Sequence, residues 1–187
     1  MTDHLDRVRD VLAVTRVMTA TQAGRLASLD LPELHRSGLV MMPMGVNLRH
    51  QGKHSRRQIQ MVATRDLRGR LRGTDMLHTC GALELVLGAV PLDEFDPAAL
   101  TMPSKTPEGE RPDLEYRHPP GELMAAEFDT GAYKLTAMHS KLKRFTREYD
   151  AVVYGTTVPR RHQNLTRAVL EGLGCGSLSL HHVLSLD

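Results

Sequence analysis

The stretch RPDLEYRHPPGELMAAEFDTG, residues 111–131, decides how this chain folds. Two apolar-patterned runs flank Pro119-Pro120-Gly121, a turn signal that joins them as a hairpin. The first run starts at an acid, Asp113, behind Pro112, and the second ends on Glu127 and Asp129. Such a hairpin brings Asp113, Glu127 and Asp129 to one end of a sheet. Residues two apart in a strand share a side, so Glu127 and Asp129 point to one face. Clustered carboxylates suit Mg²⁺ or Mn²⁺, which take oxygen ligands. A plainer reading stands beside this one. Asp113 is then a turn acid, Glu127 and Asp129 are solvated, or Asp129 caps the next helix, where negative charge is favourable.

Beyond the hairpin the spacing predicts a helix from Ala132 to about Tyr149. Leu135, Met138, Leu142, Phe145 and Tyr149 step by three and four residues, an apolar stripe with lysines and arginines on the other faces. AVVYGTT (151–157) is apolar enough for a central strand. A further helix is expected over 162–172, then a strand-like tail, SLSLHHVLSL. Upstream, Thr74 is positioned to cap a helix from Asp75 to about Gly88. Met76, Cys80, Leu83 and Leu87 lie along one face of that helix, and His78, a weak candidate for function, sits on it. Residues 91–112 are rich in Pro, Asp and Glu and read as a loop, with 104–112 its most mobile part. The order predicts an α/β unit with parallel strands paired across the 132–149 helix.

The amino-terminal part has a different pattern. Leu5, Val8 and Leu12 mark a helix over 3–17. Thr19 caps a short second helix, and Asp30, with Glu33 three residues on, starts a third that stops at Gly38. Two β-type runs follow, LVMMPMG and QIQMVAT, around a basic segment holding Arg49, Lys53, Arg56 and Arg57. Three short helices and a hairpin with a basic tip are the pattern of a winged helix-turn-helix, in which a helix enters the major groove and the wing contacts DNA. His35 and Arg36 are the base-reading candidates on the third helix. Arg49, Lys53, Arg56 and Arg57 are the phosphate-contacting candidates on the wing. The expected partner is double-stranded DNA. Residues 1–73 are expected to form this DNA-binding domain, and 74–187 the α/β domain, after the basic connector DLRGRLRG (66–73).

Charge supports a polyanion partner. The net +2 hides blocks of 0 over 1–46, +6 over 47–83, −8 over 84–129 and +5 over 130–171. An acidic block between two basic ones fits a metal site facing a phosphate backbone, although any one block can be a solvated face. Aromatics at 4%, with no Trp, leave few stacking platforms for single strands. Cys80 and Cys175 form no Cys-x-x-Cys motif, which suits a reducing, cytoplasmic setting and supports neither a zinc ribbon nor a redox motif. No apolar run approaches a membrane span, so no membrane partner is expected. Walker-type loops and Gly-x-Ser-x-Gly elbows are absent, and His181-His182 would point to opposite strand faces.

The elements RPD, AAEFDTG and SKLKRF, behind a winged helix and the linking helix DMLHTCGALELVLGAV, resemble the replication-relaxation family of plasmid and mobile-element proteins. The likeness covers residues 1–170 in element order and 111–149 in wording. It implies plasmid replication or DNA relaxation, and a second half similar to the PD-(D/E)xK nucleases. In that layout Asp113 and Glu127 are the metal-binding acids, and Mg²⁺ or Mn²⁺ is the cofactor of a DNA endonuclease or nickase. Asp129 stands where a lysine is expected. Lys134 or Lys141, on the next helix, would supply the missing cation, and Lys141 matches the family's helix lysine. The alternative is an inactive nuclease-like fold, a transcription or replication regulator whose second domain binds DNA or a partner or pairs as a homodimer.

Overall fold

The computed structural model describes residues 2–50, 53–64, 73–104, 111–168 and 178–182. Its elements are mixed helix and strand, as the α/β reading expects. Helix α1 (Thr2–Thr15) leads into a short strand, β1 (Val17–Thr19). Thr19 then starts α2 (Ala20–Ala27), its hydroxyl accepting from Gln22 N while the Gln22 side chain accepts from Thr19 N. Asp30 and Glu33 repeat this reciprocal cap at α3 (Leu31–Arg36). Strands β2 (Val40–His50) and β3 (Lys53–Ala63) pair antiparallel, and β1 joins the other side of β3, giving the order β1-β3-β2. Pro43 lies in β2, an edge strand of this sheet, where a residue without N–H is tolerated.

The hairpin arms are longer than the apolar runs that announce them. Pairing continues to His50↔Lys53, so Arg49, Lys53, Arg56 and Arg57 belong to strands rather than to a loop. These outer arms are mostly polar in sequence, and hydrophobic alternation does not register them. The wing tip (51–52) and the side chains of Arg49, Lys53 and Arg56 lie outside the described residues. So do residue 65 and 66–72 of the basic connector, 105–110 of the long loop, 169–172 of the last expected helix, Cys175, the tail beyond His182, and the side chains of His181 and His182.

A second sheet runs β4 (Leu100–Thr101), β5 (Leu114–His118), β6 (Glu122–Asp129), β7 (Ala151–Thr156), β8 (Leu178–His182) in spatial order. Pairing is antiparallel from β4 to β6 and parallel from β6 to β8. Strand β4, with Leu100 buried, is an addition to the region read as loop. Helices α5 (Leu135–Glu148) and α6 (Pro159–Ala168) make the two parallel crossovers. Met138, Leu142, Phe145 and Tyr149, the expected stripe, pack with Ala125, Val152, Tyr154 and Leu165 on one face of the sheet. The alternate residues of β6, Met124, Ala126 and Phe128, face the other side.

That other side is covered by α4 (Gly73–Ala89). The expectation of a single apolar face needs correction. Leu77, Cys80, Ala82, Leu83, Leu85, Val86 and Leu87 are all buried, while Met76 is only partly so. An apolar circumference means a helix enclosed on both sides: α4 lies between the five-stranded sheet and the amino-terminal unit. Gln22 Nε2 donates to Cys80 O at 2.7 Å, and Arg25 pairs with Glu84 at 2.5 Å. One core cluster runs from Val8 to Val153 through α4, so the two expected domains share a hydrophobic interior.

Candidate functional site

The register of the hairpin builds the site. Leu114 pairs with Ala126, so one residue further Asp113 opposes Glu127 across the strands. Like charges directly opposite repel. Asp113 is fixed by its Oδ2, which accepts from Phe128 N at 2.9 Å and lies 3.3 Å from His78 Nδ1. His78 comes from α4, and its ring meets Phe128 edge-on. Burial works against a charged His78, but the hydrogen bond to Asp113 and the charges of Asp113, Glu127 and Asp129 outweigh it. The His78 pKa is raised.

Glu127 is fully buried. Its Oε1 accepts from Lys141 Nζ at 2.6 Å, while its Oε2 is buried with no hydrogen-bond partner. Burial, and then the charge of Asp113, push its carboxyl up to about 8 against the opposing pull of Lys141. Burial lowers the Lys141 pKa, yet the charge and hydrogen bond of Glu127 outweigh this and the ammonium is favoured. Lys141 sits midway along α5, and its Nζ lies 5.6 Å from the Tyr133 ring centre and 5.5 Å from that of Phe145. Lys134 is exposed at the start of α5 and makes no side-chain cap. Of the two candidate lysines, the fold brings Lys141 to the acids.

Asp129 shares the face of Glu127 but has a different environment. Its Oδ1 accepts from Gly131 N at 2.7 Å, and its Oδ2 accepts from Tyr154 OH at 2.8 Å and Arg161 Nη1 at 2.6 Å. Burial, and then the Asp129 charge, push the Tyr154 pKa up, so its hydroxyl stays protonated and donates. Asp129 does not cap α5, and both of its carboxylate oxygens are taken up by Gly131, Tyr154 and Arg161. Among the described residues no three His, Cys, Asp or Glu side chains are grouped to hold a metal ion. The expected three-carboxylate set thus reduces to Asp113 and Glu127. Mg²⁺ keeps several waters and binds through one or two carboxylates plus substrate phosphate. The orphaned Glu127 Oε2, opposite Asp113, fits that donor pattern; Asp129 does not.

Sequence reasoning assigned no role to Tyr133, Tyr154 or Arg161. Tyr154 reaches Asp129 from β7, the parallel neighbour of β6, while the docking of α5 and α6 joins Tyr133 to Lys141 and Arg161 to Asp129. The elevated frequency of Arg at the start of α6, PRRHQ, was the one available signal. On the amino-terminal unit, His35, Arg36 and Arg57 are exposed. An open groove of about 570 Å³, lined by Gly24, Arg25, Leu31, Leu34 and Ile59 among others, runs beside α2 and α3. No helix among the described residues is long and apolar enough to cross a membrane. No protein-family model matches the chain, and neither a curated protein nor a solved structure does so.

Proposed function

We propose that this chain is a DNA-binding protein of replication-relaxation type that cleaves or nicks double-stranded DNA in the cytoplasm with Mg²⁺ or Mn²⁺. The observation that carries this reading is Glu127 Oε2, a carboxylate oxygen buried without a partner. A structural acid in a core is satisfied, as Asp129 is. An unsatisfied one beside a second acid suits a cation that is taken up in function. The element order supports the reading too. Asp113, next to the first residue of β5, and Glu127, on the neighbouring strand β6, are consistent with two acids on adjacent strands, the arrangement that the resemblance implies. The order α1-β1-α2-α3-β2-β3, with sheet order β1-β3-β2, supports the winged-helix part of this reading.

Asp113 and Glu127 would hold the ion. When bound, it neutralises charge on the phosphate and makes a coordinated water more acidic. Lys141 keeps its ammonium in the site through Glu127 and stands in for the lysine that position 129 lacks. His78 orients Asp113. Exposed Lys143, Arg147, Arg160 and Arg167 on α5 and α6 add phosphate-binding charge outside the site.

Incubating supercoiled plasmid with the protein and Mn²⁺ tests the proposal: nicked or linear product is expected. Intact plasmid across Mg²⁺, Mn²⁺ and Co²⁺ rejects it. The second reading, a regulator with a silent site, draws on the closed Glu127–Lys141 pair and predicts duplex binding without product. The wing is tested separately. Arg56→Ala with Arg57→Ala should weaken duplex binding and lower the slope of log K against log salt by about 1–2. Unchanged affinity at low salt removes the wing from the interface.

A further inference from the structure

We propose that Arg161 and Tyr133 are positioning residues that hold Lys141 in the site, and that Asp129 serves this clamp. The inference deepens the nuclease reading and rests on it for the role of Lys141. Arg161 on α6 reaches three points of the β6–α5 connection. Its Nη1 donates to Asp129 Oδ2 at 2.6 Å, and its Nη2 donates to Gly131 O at 3.0 Å and to Tyr133 O. Asp129 Oδ1 closes the same turn through Gly131 N. Gly131 has φ +90°, and a Cβ there would meet Val158 Cγ2 at 2.8 Å, so the turn is tight against the segment leading into α6.

The turn ends at Tyr133, whose ring stands against Lys141 Nζ, with Phe145 as the other aromatic wall. Lysine is a point charge on a flexible four-carbon stem and loses much rotamer freedom when fixed. A single contact to Glu127 does not fix such a stem. Two rings and one carboxylate restrict it, and the guanidinium restricts the ring's backbone. Asp129 on the strand therefore anchors the loop, and Lys141 on the helix brings the cation to Glu127 beneath it.

The test reads Lys141 directly. Acetylation of its amine in the full-length protein is followed by mass spectrometry, with exposed Lys143 of the same molecule as reference. Arg161→Ala and Tyr133→Ala should each raise the Lys141:Lys143 rate ratio by about fivefold or more. Tyr133→Phe, which keeps the ring, should restore the wild-type ratio. If Arg161→Ala fails to fold, Tyr133→Ala, at a residue 40% exposed, decides. An unchanged ratio in Tyr133→Ala overturns the proposal, as does an equal rise in Tyr133→Phe. In plasmid cleavage the same alanine variants should lower kcat by about tenfold or more, with KM little changed. A wild-type protein that does not cut DNA, with the labelling contrast intact, removes the nuclease reading and leaves the clamp. Cleavage by wild type with no labelling contrast removes the clamp alone.

Discussion

Glu127→Gln is expected to lower divalent-dependent DNA cleavage by about a hundredfold or more, a loss typical of removing one charged group from a preorganised site. It should also change how stability depends on pH. The Glu127 carboxyl is raised from 4.5 to about 8 in the folded chain, chiefly by burial and then by Asp113. Between those values the folded state holds a proton that the unfolded state has released. Stability is therefore lost as pH rises from 4.5 toward 8, by up to a few kcal/mol, and is level above that. The glutamine variant lacks this slope. Thermal melts of both proteins from pH 5 to pH 9 should show the wild-type curve falling relative to the variant, and parallel curves would contradict the raised carboxyl.

Ion binding gives the same substitution a third readout. A cation that binds the folded state alone raises Tm by mass action. At pH 8, millimolar Mn²⁺ should raise the melting temperature of the wild type and leave that of Glu127→Gln unmoved. Equal shifts in both would place the ion elsewhere.

Gly81→Ala is the second large effect. Gly81 lies on α4 against β6, and a Cβ there would meet Phe128 Cγ at 2.1 Å and Cδ1 at 2.3 Å. Phe128 is fully buried and its ring also meets His78, so a shift of the ring would disturb the core and the His78 contact. Overpacking a filled core costs about 1–3 kcal/mol and sometimes more, and the upper end is expected here. For a chain of this size that lowers Tm by about 6–12 °C. Gly88→Ala on the same helix is the control. A Cβ there meets nothing within 4 Å, and better helix propensity should stabilise by up to about 1 kcal/mol. A small loss in Gly81→Ala, similar to a surface substitution, would mean that α4 does not seat on β6 at this closeness. Because α4 also presents His78 to Asp113, the seating bears on the site as well as on the core.

Much of the architecture was legible because local signals agreed with the fold. The Thr19 and Asp30 caps, the Pro-Pro-Gly turn and the α5 stripe each depend on residues within a turn or two of one another. Where the reading fell short, the deciding contacts were distant. Strand β4 is only two residues long and is recruited by Tyr116 and Glu115. The enclosure of α4 depends on two separate layers closing over it.

The carboxylate site divides in the same way. Strand periodicity and the hairpin put Asp113 opposite Glu127 and put Asp129 on the face of Glu127, because side chains alternate and register follows the turn. What each acid does was decided only in three dimensions. Arg161 lies 32 residues from Asp129 and Lys141 lies 14 from Glu127. Which carboxylate is satisfied and which is left with a buried, unpaired oxygen depends on where α5 and α6 dock. Burial and pairing are properties of packed surroundings, and no spacing along the chain encodes them.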